Sequence, residues 1–158
     1  MIIVLGATGT IGQHLVSILE KQGKDFVIVA RDKQKASAQF PNAKIRYGDL
    51  NKFVSLKMAF AGGDALFLVS PHGPEMVLQQ STAILEASKL GIKRIVKISG
   101  SHASVTEDSA YAIGREHWKI EQILKAHADE FVILQCNFFM QNLLEDVATM
   151  VRSRSAIL

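Results

Sequence analysis

Hydrophobic residues in this chain fall into short unbroken runs, separated by stretches in which they recur every three or four positions. The first run, Ile2 to Leu5, stops at Gly6. Apolar runs this short, bounded by turn residues, predict strands buried on both faces of a parallel sheet. Phe26 to Ala30 and Ala65 to Val69 repeat the pattern, and Ile95 to Ile98 and Phe131 to Leu134 predict a fifth and a sixth strand. Ala43, Ile45 and Tyr47 alternate with polar neighbours, so Lys44 to Tyr47 predicts one more strand. Between the runs, Ile11, Leu15, Ile18 and Leu19 predict a helix that ends at Gly23, and another starts near Phe53. Glu75 to Leu90 reads as a long helix with Val77, Ile84 and Ala87 on one stripe and Gly91 as its stop. From Ala110 to His127, Ile113, His117, Ile120 and Leu124 share a face, and Phe138 to Val151 predicts a last, unusually apolar helix. Strands and helices alternate throughout. The expected architecture is α/β, a doubly wound parallel sheet of order 3-2-1-4-5-6 with helices on both faces, forming one domain over residues 1–158.

The link between the first strand and the first helix carries the most specific chemistry. Gly6, Gly9 and Gly12 stand at the spacing G-x-x-G-x-x-G, in the order strand, glycine turn, helix that a dinucleotide-binding turn requires. Gly6 makes the tight turn, Gly9 lets a pyrophosphate approach the backbone, and Gly12 lets the helix pack closely on the strand. The helix N-terminus offers free N–H groups and the positive end of its dipole to the phosphates.

In such a fold the end of the second strand meets the adenosine ribose, where a carboxylate selects NAD and an arginine accepts the 2′-phosphate of NADP. Here Arg31 comes first and Asp32 second, with Lys33 and Lys35 behind them. Arg31 offers a planar fork matched to phosphate oxygens, so NADP(H) is expected over NAD(H), with Asp32 as the residue that would reverse the preference. Asp49, in Gly48-Asp49-Leu50, is a candidate for the adenine amino group or for capping the next helix. Ser70 opens a loop, Ser70-Pro71-His72-Gly73-Pro74, at the sheet edge where ligands of open α/β folds bind. The candidate dinucleotide contacts are therefore Gly6, Thr8, Gly9, Thr10, Ile11, Gly12, Arg31, Lys35, Asp49, Leu50, Ser70 and Ser99. His72, between two prolines, is expected to be solvated.

Composition narrows the picture without redirecting it. A chain of 158 residues, 48% hydrophobic and 21% charged, can bury one substantial core. No apolar run approaches a membrane span, and no targeting segment stands out. Cys136 is the sole cysteine, which excludes an intrachain disulfide and a cysteine metal cluster, and no metal is expected. A net charge of +3 with scattered Lys and Arg does not suggest nucleic acid binding. These features lead us to expect a cytoplasmic protein.

For catalysis, short-chain dehydrogenases combine a serine at the end of the fifth strand with Tyr-x-x-x-Lys on the next helix. Ser99 and Tyr111 stand at a suitable separation, but Arg115 occupies the lysine position, so both are weak candidates. Gly6-Ala-Thr-Gly-Thr-Ile-Gly12, the Ala30-Arg-Asp turn, Gly48-Asp-Leu, Gly114-Arg-Glu-His-Trp-Lys-Ile-Glu121 and Phe138-Phe-Met-Gln-Asn142 together resemble the NmrA-like family of atypical short-chain dehydrogenases. The resemblance covers essentially the whole chain. It implies a Rossmann domain binding NAD(P) and reductases that act on quinones or similar small acceptors. The family also includes members that bind dinucleotide and regulate partners without catalysis. The chain departs from the family where Leu134-Gln135-Cys136 replaces Leu-Arg-Pro, and it is expected to lack the smaller C-terminal lobe of relatives. The expected reaction is direct hydride transfer without an essential protein acid, with a dinucleotide-sensing regulator as the alternative. His117, matching the family histidine, is expected to be a buried core residue. The Phe138–Val151 helix is expected to pair two copies of the chain.

Overall fold

The computed structural model describes residues 1–137. Its strands are β1 (Ile2–Leu5), β2 (Phe26–Ala30), β3 (Ile45–Tyr47), β4 (Ala65–Leu68), β5 (Arg94–Ser99) and β6 (Glu130–Gln135). The helices are α1 (Thr10–Lys21), α2 (Lys33–Gln39), α3 (Val54–Phe60), α4 (Met76–Lys89) and α5 (Ala112–His127). All six strands are parallel in one sheet of order β3-β2-β1-β4-β5-β6, as expected from the sequence. Registers such as Leu5↔Val29 and Val4↔Phe67 align the strand ends, so the loops that follow them open on one edge. The Phe138–Val151 helix and the pairing of copies through it lie outside the described residues.

The unbroken apolar runs follow from there being two cores. Ile3, Leu5, Val27, Val29, Leu66, Leu68 and Ile95 point to the face covered by α3, α4 and α5. Val4, Phe26, Ile28 and Phe67 point to the opposite face, against Val16 and Leu19 of α1 and Ala36 of α2. A strand between two such layers has no solvent side on which to place a polar residue.

One element is not foreshadowed by the pattern of apolar positions, and one expectation needs correction. Lys33–Gln39 forms α2 directly after Arg31 and Asp32. Asp32 is the N-cap of α2, its carboxylate accepting the Lys35 backbone N–H at 2.9 Å. The helix escapes a periodicity search because only Ala36 of its seven residues is buried. Asp49 does not cap α3, which starts behind Phe53 with no side-chain cap. Its Oδ1 instead accepts the Asn51 N–H at 2.9 Å, closing an Asx turn, while its own N–H donates to Ser55 Oγ at 2.9 Å.

Candidate functional site

The glycine turn sits at the centre of the open edge, and its three glycines do different work. Gly6 has φ +70°, and a Cβ on it would lie 2.5 Å from Val69 Cγ1 and 2.7 Å from Val69 O. A Cβ on Gly12 would lie 2.1 Å from Gly6 O. Both positions are therefore closed to side chains by the protein itself. Gly9 is different. It is the N-cap of α1 in an extended conformation that any residue adopts, φ −87° and ψ 175°. The nearest atom to a Cβ there is Gly6 O, at 3.4 Å. The fold leaves Gly9 room for a side chain, so what requires its bareness is an approach from outside, next to the unpaired N–H groups of a helix start.

Two adjoining cavities flank this turn. One, of about 530 Å³, runs over Gly6, Thr8, Gly9, Thr10, Ile11 and Gly12 to Ser70, Ser99, Gly100, His117, Cys136 and Asn137. The other, of about 420 Å³, runs from Gly6 and Thr8 past Arg31, Asp32 and Lys35 to Asp49, Leu50 and Asn51. They share Gly6, Thr8 and the stretch Val69–His72, and so form one trough across the ends of β1, β2, β4 and β5. Every residue named above as a candidate dinucleotide contact lines it. Arg31 and Lys35 are exposed at one end, their cationic heads without a partner among the described residues, while Asp32 beside them spends Oδ1 on its capping bond. Ser70 Oγ accepts from buried Gln80 Nε2 at 3.0 Å where the two cavities meet.

At the other end lies a buried polar cluster that sequence reasoning missed in part. Lys97 of β5 is fully buried on the apolar face, with Nζ 2.9 Å from His117 Nδ1 and 2.9 Å from Ile98 O. Ser99 Oγ donates to Glu121 Oε1 at 2.6 Å, and Lys125 Nζ stands 3.8 Å from Glu121 Oε2. His72 is exposed as expected, and its ring also packs edge-on to His117, centroids 5.6 Å apart. Burial pushes Lys97 down to about 8, opposed by the charge of Glu121. Burial first, then the Lys97 charge and His72, push His117 down to about 4. His117 is thus the buried histidine expected, and it also forms part of the trough wall. Gly114 lets α5 seat against the loop that supplies Ser104 and Val105 to the same wall, since a Cβ there would lie 1.9 Å from Ser104 O.

A stability prediction follows from His117. Unfolded histidine protonates near 6.5 but folded His117 only near 4, so the unfolded chain binds more protons in that window. The contribution is fully present above pH 6.5 and is lost as pH falls from 6.5 toward 4, at up to about 1.4 kcal/mol per pH unit. Urea midpoints should therefore drop between pH 7 and pH 5. His117→Gln should flatten that drop, and an equal drop in the variant would assign the acid sensitivity elsewhere.

Tyr111 is not brought to the trough. It is 67% exposed at the start of α5 and lines neither cavity, and Arg115 is bonded to the Ser109 carbonyl. Ser99 does line the trough, but its hydroxyl proton goes to Glu121. Tyr111→Phe should change any reductase rate less than tenfold, whereas a working general acid is worth about 10²–10⁴. Steady-state rates of the two proteins decide it. Among the described residues no group of His, Cys, Asp and Glu is arranged to hold a metal, and no helix is long and apolar enough to cross a membrane.

A doubly wound sheet with a bare glycine turn beneath a continuous trough is the Rossmann arrangement for a dinucleotide. Residues 6–153 match the family described as NAD(P)H-binding, and the chain belongs to that family. It is 34% identical over 145 residues to the NAD(P)H azoreductase of Xenophilus azovorans, covering 91% of this chain and 50% of that protein. The fold superposes on an NADPH-dependent quinone oxidoreductase from Escherichia coli, solved with NADPH, with TM-score 0.85 and 25% identity, covering 96% of this chain and 54% of that one. A Citrobacter sp. triphenylmethane reductase, solved with NADP(H), shares the fold with TM-score 0.84 and 24% identity, covering 96% of this chain and 55% of that one. The chain spans about half the length of the curated relatives it matches.

Proposed function

We propose that this chain is the NADPH-binding part of an NmrA-like reductase that passes a hydride from the nicotinamide to a quinone or a similar small acceptor. The observation that carries the reading is Gly9, which the fold leaves open and which lines the larger cavity next to Thr8, a residue common to both. The pyrophosphate would lie on the α1 N-terminus, the adenosine half toward Arg31, Lys35 and Asp49, and the nicotinamide toward Ser99 and His117. NADPH is favoured over NADH because Arg31 and Lys35 line the cavity, their charges without a partner among the described residues, while Asp32 spends Oδ1 on its capping bond. The dinucleotide supplies the hydride; the chain's residues bind it, orient it and shape the acceptor's space. That acceptor is proposed on the printed activities of the azoreductase and the quinone oxidoreductase.

Loss of NADPH absorbance with a panel of quinones tests the proposal. Turnover with at least one quinone, faster than with dinucleotide alone, is the expected result. Tight NADPH binding with no turnover across the panel would leave a dinucleotide-binding regulator in its place.

A further inference from the structure

Lys97 lies behind the trough and His117 forms part of its wall, so the pair places a buried cation against a ring that borders the cavity. Lys97 does not reach the trough. Its ammonium is fully buried and spends its bonds on His117 Nδ1 and Ile98 O. An ammonium only donates, so Nδ1 must accept, which fixes neutral His117 as the tautomer with its proton on Nε2. With Nδ1 turned inward to Lys97, the opposite edge of the ring is the one that meets the cavity. Cδ2, next to Nε2 on that edge, lies 3.4 Å from where a Cβ on Gly100 would stand, and Gly100 also lines the cavity. Among the described residues Nε2 has no hydrogen-bond partner.

We infer that His117 is the proton donor to the reduced acceptor, with Lys97 behind it as the proton source. The inference rests on the reductase reading above, and replaces the expectation that no protein acid is needed. Hydride addition to a quinone leaves a hydroquinone monoanion, which still lacks one proton. The Nε2–H bond of His117 breaks as an O–H bond forms on that anion, while Nδ1 takes a proton from Lys97 Nζ. The products are neutral hydroquinone, neutral imidazole in its other tautomer and a neutral amine. A solvent proton entering from the trough at Nε2 returns the Nδ1 proton to Lys97.

The direction is favourable. A phenolic oxygen holds its proton up to about pH 10, and burial leaves Lys97 a better acid than that, at about 8. Giving up the proton also removes a charge from an apolar layer. Among the described residues the other titratable groups acting on the pair are Glu121 of α5 and His72 of the loop after β4, with Lys125 Nζ 3.8 Å from the Glu121 carboxylate. Glu121 holds the Lys97 charge in place, while His72 opposes a charged His117.

Two acceptors separate a chemical role from a structural one. A naphthoquinone needs a hydride and a proton. A cationic triarylmethane dye such as malachite green needs the hydride alone, which neutralises it. In His117→Gln the ratio of quinone to dye kcat should fall about a hundredfold or more, as loss of a general acid implies. Wild-type quinone kcat should decline as pH rises through about 8, and Lys97→Met should remove that inflection. A ratio unchanged within threefold, or an inflection that survives Lys97→Met, overturns the relay. Wild-type protein that turns over neither acceptor refutes the reductase reading instead. Nitrogen-15 spectra of the histidines, with oxidised dinucleotide bound, then decide on the pair without turnover. An Nε2–H tautomer whose Nδ1 shift follows a titration absent from Lys97→Met supports the relay, and an indifferent His117 overturns it.

Discussion

Gly9→Val should abolish dinucleotide binding and leave the fold standing. The backbone at Gly9 is extended, a conformation valine favours, and a Cβ there meets nothing closer than 3.4 Å. Exchanging glycine for a β-branched residue at an N-cap costs about 1 kcal/mol, a few degrees in Tm for a domain of this size. The valine methyl groups would occupy the space through which a pyrophosphate reaches the first-turn N–H groups. Affinity should fall at least a hundredfold, or about 2.7 kcal/mol. Gly12→Val is the contrasting variant: with Gly6 O only 2.1 Å from its Cβ, the β1–α1 turn has to give way, and stability should collapse. Calorimetric titration with NADPH, beside a thermal melt of each protein, reads both effects. Normal NADPH affinity in Gly9→Val would put the phosphate site elsewhere.

Arg31→Ala should weaken NADPH far more than NADH. The guanidinium is exposed at the wall of the smaller cavity, so its removal should leave stability nearly unchanged. A charge-assisted hydrogen bond to a phosphate is worth about 1.5–3 kcal/mol, which corresponds to ten- to a hundredfold in affinity. Fluorescence titrations of the two reduced dinucleotides against both proteins provide the comparison. Equal affinities in the wild type, or a parallel loss for both dinucleotides in the variant, would remove Arg31 from the 2′-phosphate site.

What was legible in the sequence is what short-range physics determines. The apolar runs of β1, β2 and β4 specify strands between two layers, whereas the equal run of β6 lies at the sheet edge with Phe131, Val132 and Leu134 exposed. The spacing Gly6-Gly9-Gly12 identifies the turn because Gly6 and Gly12 answer to close packing around the turn, and Gly9 to an approach from outside. Lys97 was opaque for the opposite reason. In Arg94-Ile-Val-Lys-Ile-Ser it reads as a solvent-facing position, and only the packing of α5 shows that Ile95, Lys97 and Ser99 share a covered face. Glu121 sits one position beyond the stripe formed by Ile113, His117, Ile120 and Leu124, and its burial depends on a partner twenty-two residues earlier, Ser99. A seven-residue helix with a single buried alanine, such as α2, gives no periodic signal to detect. Its cap, Asp32, reads from the sequence as a ribose ligand, and only the fold gives it the second role.

The trough is shared by two groups of elements that barely meet. Arg31 and Asp49 follow β2 and β3 and Lys35 lies in α2, whereas Ser99 and His117 belong to β5 and α5, and only Gly6, Thr8 and Val69–His72 belong to both cavities. Substitutions in groups without common partners act additively. On the proposed reading, preference for one coenzyme and preference for one acceptor would therefore be separately evolvable in this scaffold. A lineage would exchange the residues after β2 to follow its cellular supply of reducing equivalents while the acceptor end drifts on its own.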